Sequence, residues 1–389
     1  MAVKFTKPEI NVREKLAELD KPSGIAGEAM LRAETAQEQF NLIGAGRRNL
    51  IINGAMAFSQ RNGTSVITLN SAGSVLYEFD RWSRQVQQNG KLTLQQVTDA
   101  PSGFSYSIKA TTASAITASG SDYYMISQRI EGFNSAYLAY GTSSARTTTL
   151  SFWVKSTLTG QWSGAIKNSA SNRAYTFSYY INSPSTWEYK TVTIPGDTSG
   201  TWIGSTNGIG LRLMYDLGTA RSDLHGTLNS WTATNSYASS TGVKLVQNAS
   251  ATWQITGVQL EVGKVATPFE HRSYGEELAL CQRYFTVMPN GILGVSSSTT
   301  SVVYSYHLPT QMRATPSVSL TSTNQRQGDT VAQGISLTSA SISISTYANS
   351  SVAAFFISGT PSANFTPYRT YLYEGTGSFP AQVHLSAEL

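Results

Sequence analysis

From Asn49 to about Arg272 the chain alternates apolar and polar residues in short stretches broken by Gly, Ser, Thr, Asn and Pro. That pattern predicts the strands of a β-sandwich or barrel. Within Leu150–Lys155, residues Leu150, Phe152 and Val154 fall on one face, and Ser151, Trp153 and Lys155 on the other. Tyr175, Phe177, Tyr179 and Ile181 line one face of a second strand, with Tyr180 on the reverse. Around Gly257 the apolar parity switches from Trp253 and Ile255 to Val258, Leu260 and Val262, which predicts a β-bulge there.

The pattern changes at both ends of this region. Residues 1–48 form a separate helical module. Thr6–Glu9 has the form of a capping box with proline in the first turn, and Val12, Leu16 and Leu19 follow at helical spacing. Beyond Pro22 and Gly24, the residues Ala26, Met30, Ala33, Gln37 and Phe40 recur at spacings of four and three. This seam fits either a helix lying on its own domain or a short oligomeric coiled coil. On the other side, Ser273–Glu276 is a second capping box that opens a linker helix over 273–290, with Leu278, Cys281 and Phe285 on one face. Residues 291–389 then form a second β domain, with strands expected at Ser301–His307, Ser341–Thr346, Val352–Ile357 and Tyr368–Tyr373. Four segments result: 1–48, 49–272, 273–290 and 291–389. The fold class is mainly β: short N-terminal helices, a β-sandwich and a C-terminal sandwich-like β domain.

Composition sharpens this picture. Of the 389 residues only 13% are charged, and 15 of the 51 charges lie in residues 1–48. Residues 291–389 carry 32 Ser/Thr but six charges, which suits strands buried between copies, so a parallel homotrimer is expected. The net charge of +5 is thinly spread, with no Lys/Arg block beyond Arg47–Arg48, which argues against nucleic acid as a partner. One cysteine, Cys281, excludes an intrachain disulfide framework and a multi-thiolate zinc site. The longest apolar run, Val352–Ile357, is far short of a membrane-spanning helix, and the N-terminus lacks the apolar core of a secretory signal.

Catalytic patterns are missing. His225, His271, His307 and His384 are too scattered for metal spacing, and no GxSxG elbow surrounds a serine. Gly208-Ile-Gly210 runs into Leu211–Leu213, a turn before a strand rather than a dinucleotide loop. Asp216, Asp223 and His225 read as a polar loop, Glu78 and Asp80 as partners of Arg81 and Arg84, and Cys281 as a buried structural thiol. No catalytic residue, cofactor or metal ligand is assigned. What remains is aromatic and amide-rich β surface, the chemistry that reads sugars. Trp153, Tyr180, Arg129 and Arg212 fall opposite the aliphatic faces and are the candidate glycan contacts; Trp162, Trp187, Trp202 and Trp253 are assigned to packing.

Five runs carry a family resemblance: Arg48–Met56 with Gln60-Arg61, Phe79–Trp82, Ile255–Gly263, Thr267–Glu270, and Glu277–Phe285. Together they resemble the jelly-roll domain of tailed-phage fibre and appendage proteins, which is similar in architecture to carbohydrate-binding modules. The resemblance spans residues 48 to about 286. It implies a virion appendage, assembled in the host cytoplasm, that binds a host surface glycan or outer-membrane receptor without catalysis. In that reading residues 1–48 attach to phage tail or capsid proteins, and residues 291–389 form a variable tip. The tip's densest aromatic group, Tyr347, Tyr368, Arg369, Tyr371 and Tyr373, is the first expectation for receptor contact; packing of Tyr371 and Tyr373 on a shared strand face, and of Tyr347 between subunits, is the alternative, and the Trp153 face competes for the role. Modules of that family often hold a structural calcium between the first and last strands, where Glu261 is the obvious carboxylate here. A head fibre or capsid decoration protein is the alternative; a depolymerising tailspike lacks its β-helix repeat and carboxylate constellation.

Overall fold

A computed structural model describes residues 48–322, 325–329, 335–374 and 382–389. The seam Ala26, Met30, Ala33, Gln37 and Phe40, with the helical segment that contains it, lies outside the described residues.

Two antiparallel sheets form a jelly-roll sandwich. One contains β1 (Ile67–Thr68), β4 (Leu92–Val97), β5 (Ser107–Thr112), β13 (Thr252–Val262), β7 (Thr148–Ser156) and β10 (Glu188–Ile194), in that spatial order. The other contains β12 (Trp231–Thr232), β9 (Ala174–Ile181), β8 (Gly160–Asn168), β11 (Ile209–Asp216), β6 (Tyr124–Glu131), β3 (Trp82–Val86) and β2 (Leu76–Phe79). Period-two alternation sends Leu150, Phe152 and Val154 from β7 against Phe177, Tyr179 and Tyr215 from the opposite sheet, and the Phe152 ring meets Tyr179 and Tyr215 edge-on at 5.1 and 5.2 Å. The expected bulge is present: Gly257 has φ of 62°, and the β13–β7 register shifts between Thr256 and Gln259.

The runs that carry the family resemblance close this sandwich. Asn49 donates from Nδ2 to the Val258 carbonyl at 3.0 Å, and its Oδ1 accepts from the Ile51 and Leu260 amides. It thereby pins the first segment to β13. Asn53 takes a left-handed φ of 55° and bonds the carbonyls of Phe58 and Asp80, while Trp82 Nε1 donates to the Asn53 carbonyl at 3.1 Å. Asp80 accepts from the backbone and side chain of Gln60, and not from Arg81 or Arg84 as expected; Arg84 alone pairs locally, with Glu78 at 3.0 Å.

A four-residue helix, α1 (Gly132–Ser135), follows β6, and α2 (Tyr274–Gln282) follows β13. Ser273 caps α2 by accepting from the Glu276 amide, the serine half of the capping box read from the sequence. The helix ends earlier than expected, because Phe285 already belongs to β14 (Phe285–Val287). Strand β14 joins β22 (Val383–Ser386) and β17 (Ser317–Leu320) in a small sheet. Beside it, β15 (Leu293–Ser298), β16 (Ser301–His307), β20 (Val352–Pro361), β19 (Ile335–Ile344), β18 (Gln325–Asp329) and β21 (Thr370–Glu374) close into a barrel. A sandwich-like domain was expected; instead β21 pairs with both β15 and β18, which leaves no open edge.

Charged side chains join the two β regions. Glu131 at the end of β6 receives Arg283 and the Tyr284 hydroxyl, while Arg81, almost fully buried, pairs with Glu388 and lies 3.5 Å above the Tyr284 ring. Arg313 adds bonds to the carbonyls of Ala387 and Asn207.

Candidate functional site

The sandwich separates the sequence-derived glycan candidates onto two surfaces. Trp153 lies on the outer face of the six-stranded sheet, half-buried, with its ring 5.3 Å from that of Tyr189 on β10. The register places Tyr189 directly across from Trp153 and Thr256 on its other side. Gly257 sits next to Trp153: a Cβ there would lie 2.7 Å from the Phe104 ring and 3.1 Å from Trp153. The bulge therefore brings Phe104 beside Trp153, and Phe104 in turn packs edge-on to Phe269 at 5.0 Å. The next row across the sheet is polar, with Lys155 opposite Gln254, and Gln254 opposite Lys109. Asp99 crosses above it. Burial works against the Asp99 charge, but hydrogen bonds from Lys155, Trp187 and Gln254 hold its carboxyl below the usual range. Ring faces beside amides and a fixed ion pair can stack on sugar C–H groups and bond to hydroxyls.

Tyr180, Arg129 and Arg212 lie on the seven-stranded sheet, which sets the two arginines side by side and leaves Tyr180 apart. Tyr180 is 59% exposed across from Gln161, six positions along β8 from Lys167, or about 20 Å at the strand rise. Arg129 is drawn into the junction, donating to the Leu389 carbonyl. Arg212 stands between Arg129 on β6 and Lys167 on β8, so three cations form one row across the sheet. Leu224, Tyr237 and Ala238 roof part of this face, packed on Met125, Ala165 and Met214. A pocket of about 210 Å³ opens beside the roof over Lys167 and Arg212.

The tip candidates are corrected in part. Tyr371 and Tyr373 are buried in the barrel, where Tyr371 packs on Phe365 at 4.8 Å and Tyr373 on Tyr304 at 5.9 Å. Their shared strand parity points them into the core, so they offer no ring to a receptor. Tyr347 and Tyr368 are 83% and 87% exposed, but they sit on different connections, Tyr347 between β19 and β20 and Tyr368 between β20 and β21. Tyr347 is three residues from Ser350, which lines a cleft against the jelly roll together with Phe133 and Asn207. Arg369 bonds through its backbone amide to Ser296 and Thr366.

Glu261 does not fit a calcium cage. It is fully buried, and both oxygens already accept from the Thr267 amide, the Thr267 hydroxyl and Gln259 Nε2. No group of three or more His, Cys, Asp or Glu suited to a metal ion occurs among the described residues. Asp216 is buried and accepts from the Gly218 and Thr219 amides, whereas Asp223 pairs with Arg221 at the surface, so they form no acid–base couple. Burial pushes the Cys281 thiol well up, which keeps it protonated and inert. Of the tryptophans assigned to packing, Trp162 and Trp253 are fully buried, while Trp187 and Trp202 keep partial exposure.

Sequence reasoning missed Tyr189, Phe104 and Lys167. Parity alone places Lys167 opposite Ile166, but its meeting with Arg212 depends on a pairing between strands about 45 residues apart.

No family model matches the chain, and no curated protein does. Among solved structures, the chain is similar to the enzymatically active domain of tailspike protein 4 of bacteriophage CBA120. Identity is 14% over 55% of this chain and 21% of that one, with a TM-score of 0.31. It is also similar to a family 61 carbohydrate-binding module in complex with β-1,4-galactotriose, at 10% identity over 56% of this chain and all of that one, with a TM-score of 0.28. A family 11 module from Clostridium thermocellum in complex with a mixed-linked tetrasaccharide gives 12% identity over 54% of this chain and all of that one, with a TM-score of 0.25. The chain thus spans about a fifth of the length of the tailspike domain.

Proposed function

We propose that the chain is a non-catalytic appendage protein of a tailed phage that binds glycan on the host surface. The jelly roll makes the sugar contact, and residues 1–48 provide the attachment to the particle. The observation that carries the glycan reading is the Trp153–Tyr189 pair on the outer sheet face, extended by Phe104 and bordered by Gln254, Lys155 and Asp99. Stacked rings give contact area at low entropic cost, and the neighbouring amide and ion pair supply directional bonds to hydroxyls. The appendage reading is supported by the motif runs from Arg48 to Phe285, and assembly as a trimer adds avidity to individually weak sugar contacts.

The test is binding of the purified chain to polysaccharides from candidate hosts, by array and affinity electrophoresis. Trp153→Ala with Tyr189→Ala should lower affinity at least tenfold while thermal unfolding stays close to that of the parent. Undiminished binding by that double variant would overturn the platform. Release of reducing ends from the polysaccharide would overturn the non-catalytic reading, and absence of the protein from purified particles would overturn the appendage reading.

A further inference from the structure

The pocket over the seven-stranded sheet has a charge arrangement that the fold does not balance. Lys167 and Arg212 are direct register partners on adjacent strands, and like charges set opposite one another destabilise a sheet. Lys167 is 2% exposed, and its Nζ bonds only the carbonyl and side-chain oxygen of Asn235, both neutral. Arg212 reaches the Ser171 hydroxyl at 3.1 Å and the Ser169 carbonyl at 3.0 Å, and its Nε is buried with no hydrogen-bond partner. None of the residues lining the pocket is a carboxylate. At the rim, Arg221 is paired with Asp223 and points both charges to solvent. The third cation of the row, Arg129, is already engaged by the Leu389 carbonyl. Burying unpaired charge is costly, and an incoming anion that bonds both cations relieves the cost.

The rest of the pocket fits a ring as well as a charge. Tyr123 is half-buried at one wall, Tyr237 forms another with Lys167 5.7 Å above its ring, and Met125 and Met214 make an apolar floor. A volume of about 210 Å³ has room for a sugar ring.

We infer that this pocket binds an acidic monosaccharide unit, its carboxylate on Lys167 and Arg212 and its ring against Tyr123. The Asn235 amide oxygen stands where a ligand carboxylate oxygen would take over. This site is separate from the Trp153 platform and on the opposite sheet, so either can fail without the other.

Calorimetric titration of the full chain with glucuronate, N-acetylneuraminate, glucose, glucose 6-phosphate and inorganic phosphate tests the assignment. At least one of the two sugar acids should bind, with glucose at least tenfold weaker. Arg212→Gln and Lys167→Met should each reduce that binding at least tenfold, and Arg146→Gln, which removes an exposed charge elsewhere, should leave it unchanged. Circular dichroism on each variant separates lost binding from lost folding, and if one variant fails to fold the other decides. Binding of inorganic phosphate as tight as that of the sugar acids would reduce the site to a bare anion hole and overturn the saccharide assignment. A preference for glucose 6-phosphate over both sugar acids would move the source of the anion from carboxylate to phosphate and overturn the carboxylate assignment. No binding of any acidic sugar, or equal loss with Arg146→Gln, would overturn the site.

Discussion

Arg283 forks onto Glu131, with Nε 3.0 Å from Oε2 and Nη2 2.6 Å from Oε1, and so ties the residue after α2 to the end of β6, 152 positions earlier. The same carboxylate accepts the Tyr284 hydroxyl at 2.6 Å and is 1% exposed. Removing the carboxylate leaves the buried Tyr284 hydroxyl without its acceptor and Arg283, 28% exposed at its side chain, without its counter-ion, so Glu131→Ala should cost about 1–3 kcal/mol. Urea unfolding checks this; a change within about 0.5 kcal/mol would show that the clamp contributes nothing to stability.

Gly257 is required twice, by its φ of 62° and by the closeness of Phe104. Gly257→Ala should cost about 1–3 kcal/mol and push Phe104 away from Trp153. Polysaccharide affinity should fall with stability. A fully stable variant with parental binding would disconnect the bulge from the aromatic face.

Lys167 makes stability depend on pH. Burial, with the Arg212 charge beside it, pushes its pKa from the ordinary 10.5 down to about 7. The groups facing it are Arg212 from β11, Tyr237 and the Arg221–Asp223 pair from the roof, and Tyr123 ahead of β6. Between about pH 7 and 10.5 the unfolded chain holds a proton that the folded chain lacks, so this group's contribution to stability rises with pH; below 7 both states are charged and the penalty is complete. Lys167→Met should therefore stabilise the protein by about 1–4 kcal/mol at pH 6, with the gain shrinking toward pH 10. Thermal unfolding of the two proteins across that range measures it, and a gain that grows with pH would reverse the assignment.

In the second β domain, Tyr371→Ala should cost about 3–5 kcal/mol, because it empties a core position. Tyr368→Ala and Tyr347→Ala should stay within about 0.5 kcal/mol. Adsorption assays can therefore interrogate the two exposed rings directly, whereas loss of adsorption in Tyr371→Ala would report unfolding. A Tyr371→Ala variant as stable as the parent would contradict its place in the core.

The seam at Ala26–Phe40 predicts that the full chain scatters light as a trimer and that a chain starting at Arg47 stays soluble and β-rich but loses particle incorporation. A full-length monomer at micromolar concentration would defeat the oligomer.

Alternation made the strands and their inner faces readable: Leu150, Phe152 and Val154 were placed from parity alone, as were the outward Trp153 and Arg212. The Gly257 bulge was legible because the apolar parity visibly changes phase there. What the sequence did not show is which strands are neighbours. Whether Trp153 meets Tyr189, or Arg212 meets Lys167, depends on pairing order, which short-range pattern does not encode. The inward turn of Tyr371 and Tyr373 is hidden for the same reason: a row of tyrosines on one face looks alike whether that face turns to solvent or into a closing barrel. The partner of Asp80 is hidden from local pattern because Gln60 lies 20 residues upstream rather than beside it.

The small sheet also sets an order of events during synthesis. Strand β14 emerges immediately after α2, yet its partner β22 lies about a hundred residues later, with Phe285 facing Ser386 and Arg81 waiting for Glu388. Until the ribosome has delivered residues 383–388, Arg81 has no counter-ion and β14 has no ladder. A sandwich that forms within that interval stands with its joint unfinished and depends on its own core. A nonsense or frameshift lesion between Tyr373 and Glu388 would thus be felt at Arg81, nearly three hundred residues upstream.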